Sequence, residues 1–190
     1  MKGRRLPSSA KQRFELIPHP DFPSRAVRSI SVEVWKANGS LELRYHVRGA
    51  LEDVLWPEPT EIGRADRLWE HTCFEAFVGS PGKLEYTELN FAPSGQWAAY
   101  GFEDYRAGMW IGLETVGSVG CFDRPDGVAL WCSAYLMALP YRREWQLGLS
   151  AIIEAKDGTK SYWALAHAPG PPDFHNRDCF TARLAAPSGA

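Results

Sequence analysis

Hydrophobic and polar residues alternate along much of the chain with the two-residue period of a β-strand. Residues 29–49 contain two such runs, "SISVEVWKA" and "LELRYHVRG", separated by Asn38 and Gly39. An Asn-Gly pair between alternating runs predicts a β-hairpin, because both residues tolerate the positive φ of a tight turn. The second run predicts a half-buried strand, with its apolar positions on one face: Leu41, Leu43, Tyr45 and Val47.

Further short strands are predicted along the rest of the chain. They lie in "TCFEAFVGSPG", "YTELNFAPSGQWAAYGFEDYR", "MWIGLETVGSVG", "VALWCSAYLMALPYR", "EWQLGLSAIIEAKDG" and "SYWALAHAPG". The "LIPHPDFPSR" segment with its three prolines predicts an extended loop or an edge, and "CFDRPDG" predicts a turn. Many short strands, frequent turn signals and almost no helical period predict an all-β fold, an antiparallel β-sandwich of jelly-roll type.

The length of 190 residues is typical of one domain. We place a ligand-binding β-sandwich at residues 12–184. The polar residues 1–11 are expected to form a mobile N-terminal tail, and residues 185–190 a C-terminal tail.

Composition and charge narrow the class of protein. The net charge is −2, and charged residues of both signs are scattered along the chain. This pattern predicts that nucleic acid is not a partner. No apolar run reaches the ~20 residues that a membrane span needs, and no apolar segment follows the N-terminal charges. We therefore expect a cytoplasmic protein without a membrane partner. Its four widely spaced cysteines are expected to be free thiols.

The strand "YTELNF" has an unusual polar face. Alternation puts Tyr86, Glu88 and Asn90 on one side, and the turn after Phe91 is expected to return the chain antiparallel. On the preceding strand, alternation places Glu75 on a face that also carries polar side chains. If the two strands pair, the two carboxylates lie about 5 to 7 Å apart, and such a pair repels unless a cation or a hydroxyl-rich ligand accommodates it.

A sugar suits this face. Carboxylates accept hydrogen bonds from hydroxyls, Asn90 both donates and accepts them, and the Arg106 guanidinium donates two parallel hydrogen bonds. The rings of Trp69 and Trp97 offer flat apolar area for a pyranose. We expect Arg106 within salt-bridge reach of Glu75 or Glu88. The alternative interpretation is a solvated outer sheet face without a ligand.

Two histidines lie near the end of the predicted domain, in "AHAPGPPDFH". His167 and His175 are interpreted as rim residues of the same pocket. A metal site with Asp173 and Cys179 is the alternative, but the ligands are more scattered than in ordinary zinc patterns, and no metal ligand is predicted.

Three segments, taken in order, resemble the DOMON-like sandwich domains, and within them the branch related to family 9 carbohydrate-binding modules. They are "RLWEHTCFEAFV", "YTELNFAPSGQWAAYGFEDYR" and "YWALAHAPGPPDFH". The resemblance covers residues 12–184. It implies a β-sandwich that holds a sugar or haem in a pocket on one sheet face, without catalysis.

The expected function is therefore a non-catalytic binding module for a carbohydrate or a similar polyhydroxylated small molecule, with no catalytic residues and no required cofactor. Three alternatives stay open: a glycoside-processing enzyme using Glu75 and Glu88, a haem-binding domain, and a protein-interaction domain. Calcium is a further candidate for the loops near Glu103 and Asp123. The sequence defines neither the particular ligand nor an oligomeric state.

Overall fold

The computed structural model describes residues 7–187 and consists of thirteen β-strands joined by turns and loops. The strands are β1 Gln12–Pro18, β2 Val27–Ala37, β3 Ser40–Gly49, β4 Gly63–Arg64, β5 Cys73–Gly79, β6 Tyr86–Phe91, β7 Gln96–Phe102, β8 Trp110–Ile111, β9 Thr115–Arg124, β10 Gly127–Tyr135, β11 Trp145–Glu154, β12 Lys160–Ala164 and β13 Ala182–Leu184. Single 3-10 turns occur at Leu51–Asp53, Leu68–Glu70 and Arg177–Cys179. Within the described residues there is no α-helix, and none of the helical turns is long and apolar enough to cross a membrane.

The strands form one curled sheet in the order β4-β7-β6-β5-β11-β12-β1-β2-β3-β10-β9, with β13 beside β11 and β8 beside β7. Among the described strands only β4 and β7 pair in parallel. The curl folds the sheet into two layers, because β1 pairs with β2 along Gln12–Leu16 and then with β12 at Ile17 and Pro18. The all-β antiparallel sandwich is therefore confirmed. Its jelly-roll connection order stays a prediction.

The hydrophobic core lies between the two layers. It contains the predicted inner face of β3 together with Phe74, Ala76 and Val78 of β5 in the opposite layer. The Tyr45 hydroxyl crosses the core and donates to the Glu75 carbonyl oxygen at 2.6 Å. The alternation pattern of these strands thus predicted correctly which side chains face inward.

The β2–β3 hairpin confirms the turn predicted from Asn38 and Gly39, whose φ angles are 51° and 94°. Both values lie in the left-handed region that asparagine and glycine tolerate. The turn between β6 and β7 is also confirmed, and it places Phe91 opposite Trp97.

Two local predictions hold in part. Residues 19–25 of the proline-rich segment form the predicted loop, but residues 16–18 belong to β1, which pairs first with β2 and then with β12. Pro18 occupies the last position of the strand, where a missing N–H costs little. In "CFDRPDG" the strand β9 continues to Arg124, and only Pro125 and Asp126 connect it to β10. The ladder with β10 extends these residues as a strand.

The predicted N-terminal tail lies partly outside the described residues, which begin at 7. Within it, the Ser9 backbone N–H donates to the Lys36 carbonyl at 3.0 Å. The predicted C-terminal tail is described only as far as residue 187.

The outer face of the β7-β6-β5-β11-β12 layer carries a second apolar cluster, which positions the candidate site. Side chains from these strands, including Phe77, Tyr100 and Ile152, meet Phe174 and Phe180 from the segment that follows β12. The sheet face is therefore partly covered by a loop instead of being open to solvent.

Candidate functional site

The two glutamates predicted to share a sheet face do so. In the β5–β6 ladder Glu75 lies opposite Asn90, and Phe77 lies opposite Glu88, so the carboxylates are diagonal neighbours. Both side chains are buried, with Glu75 3% and Glu88 5% exposed. Carboxyl side chains are rarely buried to this degree unless they are paired, which makes this face of the sheet a candidate site.

A cavity of about 510 Å³ lies over this face. Its polar lining consists of Glu75, Glu88, Arg106 and His175. Its aromatic lining consists of Trp69, Phe77, Tyr100, Phe102, Tyr162 and Phe174, and Met109, Ile152 and Pro172 complete the wall. A few convergent polar groups in an otherwise aromatic cavity of this size are typical of a small-molecule site.

Short polar residues hold the two carboxylates in position. The Ser150 hydroxyl donates to Glu75 Oε2 at 2.9 Å, and the Asn90 amide donates to Glu88 Oε1 at 2.7 Å. The Cys73 thiol lies 3.7 Å from Asn90 Oδ1, on the other side of this amide. Asn90 therefore orients Glu88 from below instead of lining the cavity.

Burial and mutual repulsion favour the protonated forms of both acids. Desolvation, followed by the charge of Glu88, raises the pKa of Glu75 to about 8, although the Ser150 hydrogen bond opposes the shift. Desolvation also raises the pKa of Glu88, against the Asn90 hydrogen bond and the charge of Arg106. At neutral pH at least one of the two carboxyl groups retains its proton and can donate a hydrogen bond.

His175 reaches the cavity from the segment after β12 and contacts both Tyr86 and Glu88. Its Nδ1 lies 2.8 Å from the Tyr86 hydroxyl, and its Nε2 lies 3.5 Å from Glu88 Oε2. Burial, followed by the charge of Arg106, lowers the pKa of His175 to about 4, so the ring is neutral at pH 7. The tautomer with its proton on Nε2 lets the Tyr86 hydroxyl donate to Nδ1 and directs the Nε2–H towards Glu88.

Arg106 lies at the rim, but its predicted ion pair with Glu75 or Glu88 is wrong. Its guanidinium is bound to Asp173 Oδ1 at 2.9 Å, and within residues 7–187 it forms no ion pair shorter than 4.0 Å with either glutamate. The Tyr105 hydroxyl also donates to Asp173, at 2.7 Å. Arg106 lies inside the Asp104–Ala107 turn with φ 49°. Because its guanidinium is bound to Asp173, Arg106 acts on the glutamates through its charge, which opposes the rise in the pKa of both carboxyls.

The two predicted tryptophans lie on opposite faces of the sheet. Trp69, in the turn before β5, lines the cavity and stands edge-on to Tyr100 at 5.9 Å. Trp97 packs against the core between the layers, so its assignment to the site is wrong. The physical reason is strand parity: Trp97 points to the same side as Leu89 and Phe91, whereas Tyr100, opposite Glu88, points to the other.

Sequence reasoning missed Tyr100 and Phe102 as site residues, although the signal was present. They share parity with the polar face of β6, and Phe102 stacks on Tyr86 at 4.9 Å. Phe77 could be found in the same way, because it alternates with Glu75. Tyr162 lies on β12 and could be selected only once the pairing of β12 with β11 is known. Phe174 had no such signal, since no strand pattern tells which loop folds over the sheet.

His167 is not among the residues that line the cavity. Its Nε2 lies 2.9 Å from the Ile17 carbonyl, and its ring lies 4.8 Å from that of His19. It approaches the site only through the Phe174 ring, at 6.3 Å. His167 therefore lies where β1 meets the segment that follows β12.

The donor set does not suit a metal or haem. In the part of the chain that is described, no three His, Cys, Asp or Glu side chains cluster as metal ligands. Met109 and His175 both line the cavity, but His175 Nδ1 is bonded to the Tyr86 hydroxyl, and Nε2 faces the Glu88 carboxyl at 3.5 Å. An axial haem ligand needs a ring nitrogen that faces open space for the iron, so haem fits these residues poorly.

Comparison with solved structures relates the fold to that of known proteins. A proposed carbohydrate-binding protein from Bacteroides uniformis ATCC 8492 superposes with a TM-score of 0.61 at 15% identity, covering 93% of this chain and 86% of the other. A family 9 carbohydrate-binding module from Caldicellulosiruptor kristjanssonii, in complex with cellotriose, gives 0.57 at 8% identity, covering 93% and 83%. The chain thus has a fold like that of carbohydrate-binding modules. No protein-family model and no curated protein sequence matches it.

Proposed function

We propose that the protein is a non-catalytic binding module for a carbohydrate or a similar polyhydroxylated small molecule, bound in the cavity over β5 and β6. The observation that carries the proposal is the combination of buried carboxyl groups with six aromatic rings in one cavity of about 510 Å³. Hydroxyls pair with the carboxyls and with His175, and the rings accept the C–H faces of a pyranose.

The fold supports the same proposal. Carbohydrate is named for both similar structures, and cellotriose is the ligand of one of them. We also propose that the chain is a DOMON-like domain of the branch related to family 9 carbohydrate-binding modules. This assignment rests on the three ordered sequence segments together with the sandwich.

A thermal-shift screen tests the proposed function. At a hundredfold excess over Kd, a ligand stabilises the folded state by about 2.7 kcal/mol, which raises the Tm of a chain this size by roughly 5 to 10 °C. We expect such a rise with at least one member of a panel of mono- and oligosaccharides. A flat response to the whole panel would reject the proposal.

A second candidate function is glycoside processing by Glu75 and Glu88. It is favoured by one observation, the pair of buried carboxyls with raised pKa values in one cavity. An enzyme of this kind would release product from aryl glycosides and lose that activity in Glu75→Gln. A binding module leaves every substrate intact while still being stabilised by the sugar.

We further propose that the protein is cytoplasmic. All four cysteines are free thiols, and three of them are buried. Free thiols are the usual state in a reducing compartment.

A further inference from the structure

The two buried glutamates face the cavity without a cation bonded to either of them. Glu75 Oε2 accepts from Ser150, but Glu75 Oε1 accepts no hydrogen bond from any side chain among residues 7–187. Glu88 is held by the Asn90 amide, and its second oxygen faces the neutral His175 ring. The site therefore offers two carboxyl groups whose charge the protein itself does not offset.

The other ionisable groups around the pair do not supply the missing positive charge. They are Cys73 on β5, Tyr86 on β6, Tyr100 on β7, Tyr162 on β12, and Arg106, Asp173 and His175 on the loops. Arg106 is the only group of this set that is cationic at pH 7, and it is bound to Asp173. Its charge opposes the rise in the pKa of both carboxyls but does not reverse it.

The rings of the cavity favour a positive charge at the same place. Trp69, Tyr100 and Phe77 line the cavity that the two carboxyls face. The negative face of an aromatic ring attracts a cation, and the attraction grows when water is excluded. Carboxylates and rings together form an environment that an ammonium group satisfies better than a hydroxyl does.

We propose that the cavity binds a protonated amino sugar, with its ammonium group held between Glu75 and Glu88. This inference rests on the proposed function and specifies its ligand class. The ammonium group has three donors, which match Glu75 Oε1, Glu88 Oε2 and one further acceptor. It also neutralises the pair, whereas a neutral sugar leaves repulsion to be relieved by a retained proton.

Three related monosaccharides test this directly on the unmodified protein. Glucosamine, N-acetylglucosamine and glucose share one ring, and at pH 6 only the first carries a positive charge. Calorimetric titration should give glucosamine an affinity at least about tenfold above that of glucose, since a buried ion pair exceeds a neutral hydrogen bond. Equal affinities would overturn the inference and leave the proposed function standing, whereas failure of every sugar to bind would overturn both.

Proton linkage provides a second readout that does not depend on a variant. An ammonium group stabilises the ionised carboxylates, so its binding should release protons, and the affinity for glucosamine should rise between pH 5 and 7. The raised pKa of Glu75 places that carboxyl in its protonated form over this range before the ligand arrives. Titration in two buffers of different ionisation enthalpy measures the release. Proton uptake, or none, contradicts the proposal.

Matched glutamine variants locate the effect. Glu75→Gln and Glu88→Gln preserve side-chain shape and should each reduce the preference for glucosamine over glucose, and the double variant should reduce it to about onefold. Glu42→Gln is the control: Glu42 is also buried, but it bonds Ser40 and Ser133 on the other layer. It should leave the preference unchanged. An undiminished preference in the double variant rejects the assignment, and a cooperative melt for each variant confirms that it is folded.

Discussion

Tyr86 on β6 and His175 on the covering segment are joined by a contact of 2.8 Å between the phenol oxygen and the imidazole Nδ1. Tyr86 also accepts the Arg106 backbone N–H at 3.3 Å. One phenol thus connects the sheet floor, the loop after β7 and the segment after β12. The far nitrogen of the same imidazole faces Glu88, so the contact also orients the polar side of the cavity.

We predict that Tyr86→Phe weakens sugar binding while the fold is kept. Loss of the hydroxyl removes the hydrogen bond at His175 Nδ1 that orients the ring towards Glu88. The expected cost in the free energy of unfolding is about 1 kcal/mol, the usual value of one hydrogen bond. Chemical denaturation and calorimetric titration measure the two effects. Tyr135→Phe, at a half-exposed position on β10, is the control and should change neither.

Arg106→Ala should act on the glutamates through the electrostatic field. The Arg106 charge opposes the rise in the pKa of Glu75 and Glu88, so its removal should raise the pKa of both carboxyls further. The free energy of unfolding should fall by less than about 1 kcal/mol, because the ion pair with Asp173 is half exposed. Carboxyl-carbon NMR titration reports the pKa values. Arg183→Ala, which breaks the exposed pair with Glu144, should leave them unchanged.

The stability of the free protein should fall as the pH rises from about 6.5 to 8. A carboxyl whose folded pKa is raised to about 8, against about 4.3 when unfolded, binds more protons in the folded state across this range. The contribution is complete below pH 4.3 and is lost by pH 8, with a maximum slope of about 1.4 kcal/mol per pH unit.

His175 and Lys36 act outside this window. The lowered pKa of His175, about 4, makes stability rise with pH only between about 4 and 6.5. Desolvation lowers the pKa of the buried Lys36 to about 8, so its effect lies above that value. Urea denaturation at pH 6.5 and 8 should therefore show a smaller loss in Glu75→Gln than in the parent chain. Equal losses would mean that Glu75 is ionised throughout.

Substitution of Trp97 should affect stability, and substitution of Trp69 should affect sugar binding. Trp97→Ala removes a ring from the core and should lower the free energy of unfolding by about 3 kcal/mol, near the low end for such truncations because the ring is partly exposed. Its sugar affinity should be unchanged once the variant is folded. Trp69→Ala should lower the affinity about tenfold with little change in stability. If Trp97→Ala lowered the affinity and Trp69→Ala did not, Trp97 and not Trp69 would face the ligand.

The sequence predicted local structure well where a two-residue period set it. The Asn38-Gly39 turn, the inner face of β5 and the shared face of Glu75 and Glu88 all followed from alternation and turn chemistry. The same rule, applied to β7, would have excluded Trp97 and selected Tyr100. That error was one of parity, not of insufficient information.

The loops over the sheet were beyond such reasoning. Whether Arg106 meets Glu88 or Asp173 depends on how the segment after β12 folds back, which no short-range pattern encodes. The burial that raises the carboxyl pKa values comes from the same segment, through Phe174 and His175. The chemistry of the site therefore depends on a long-range packing arrangement that only the folded chain defines.

The most direct test of carbohydrate binding in this cavity is a ¹H–¹⁵N titration of the eight tryptophan indole signals with a sugar selected by the thermal-shift screen. Sugar binding in the cavity should give a saturable shift of the Trp69 signal, with the signals of Trp97 and of the fully buried Trp145 unmoved. Saturable shifts confined to tryptophans outside the cavity, or no saturable shift at all, would contradict it.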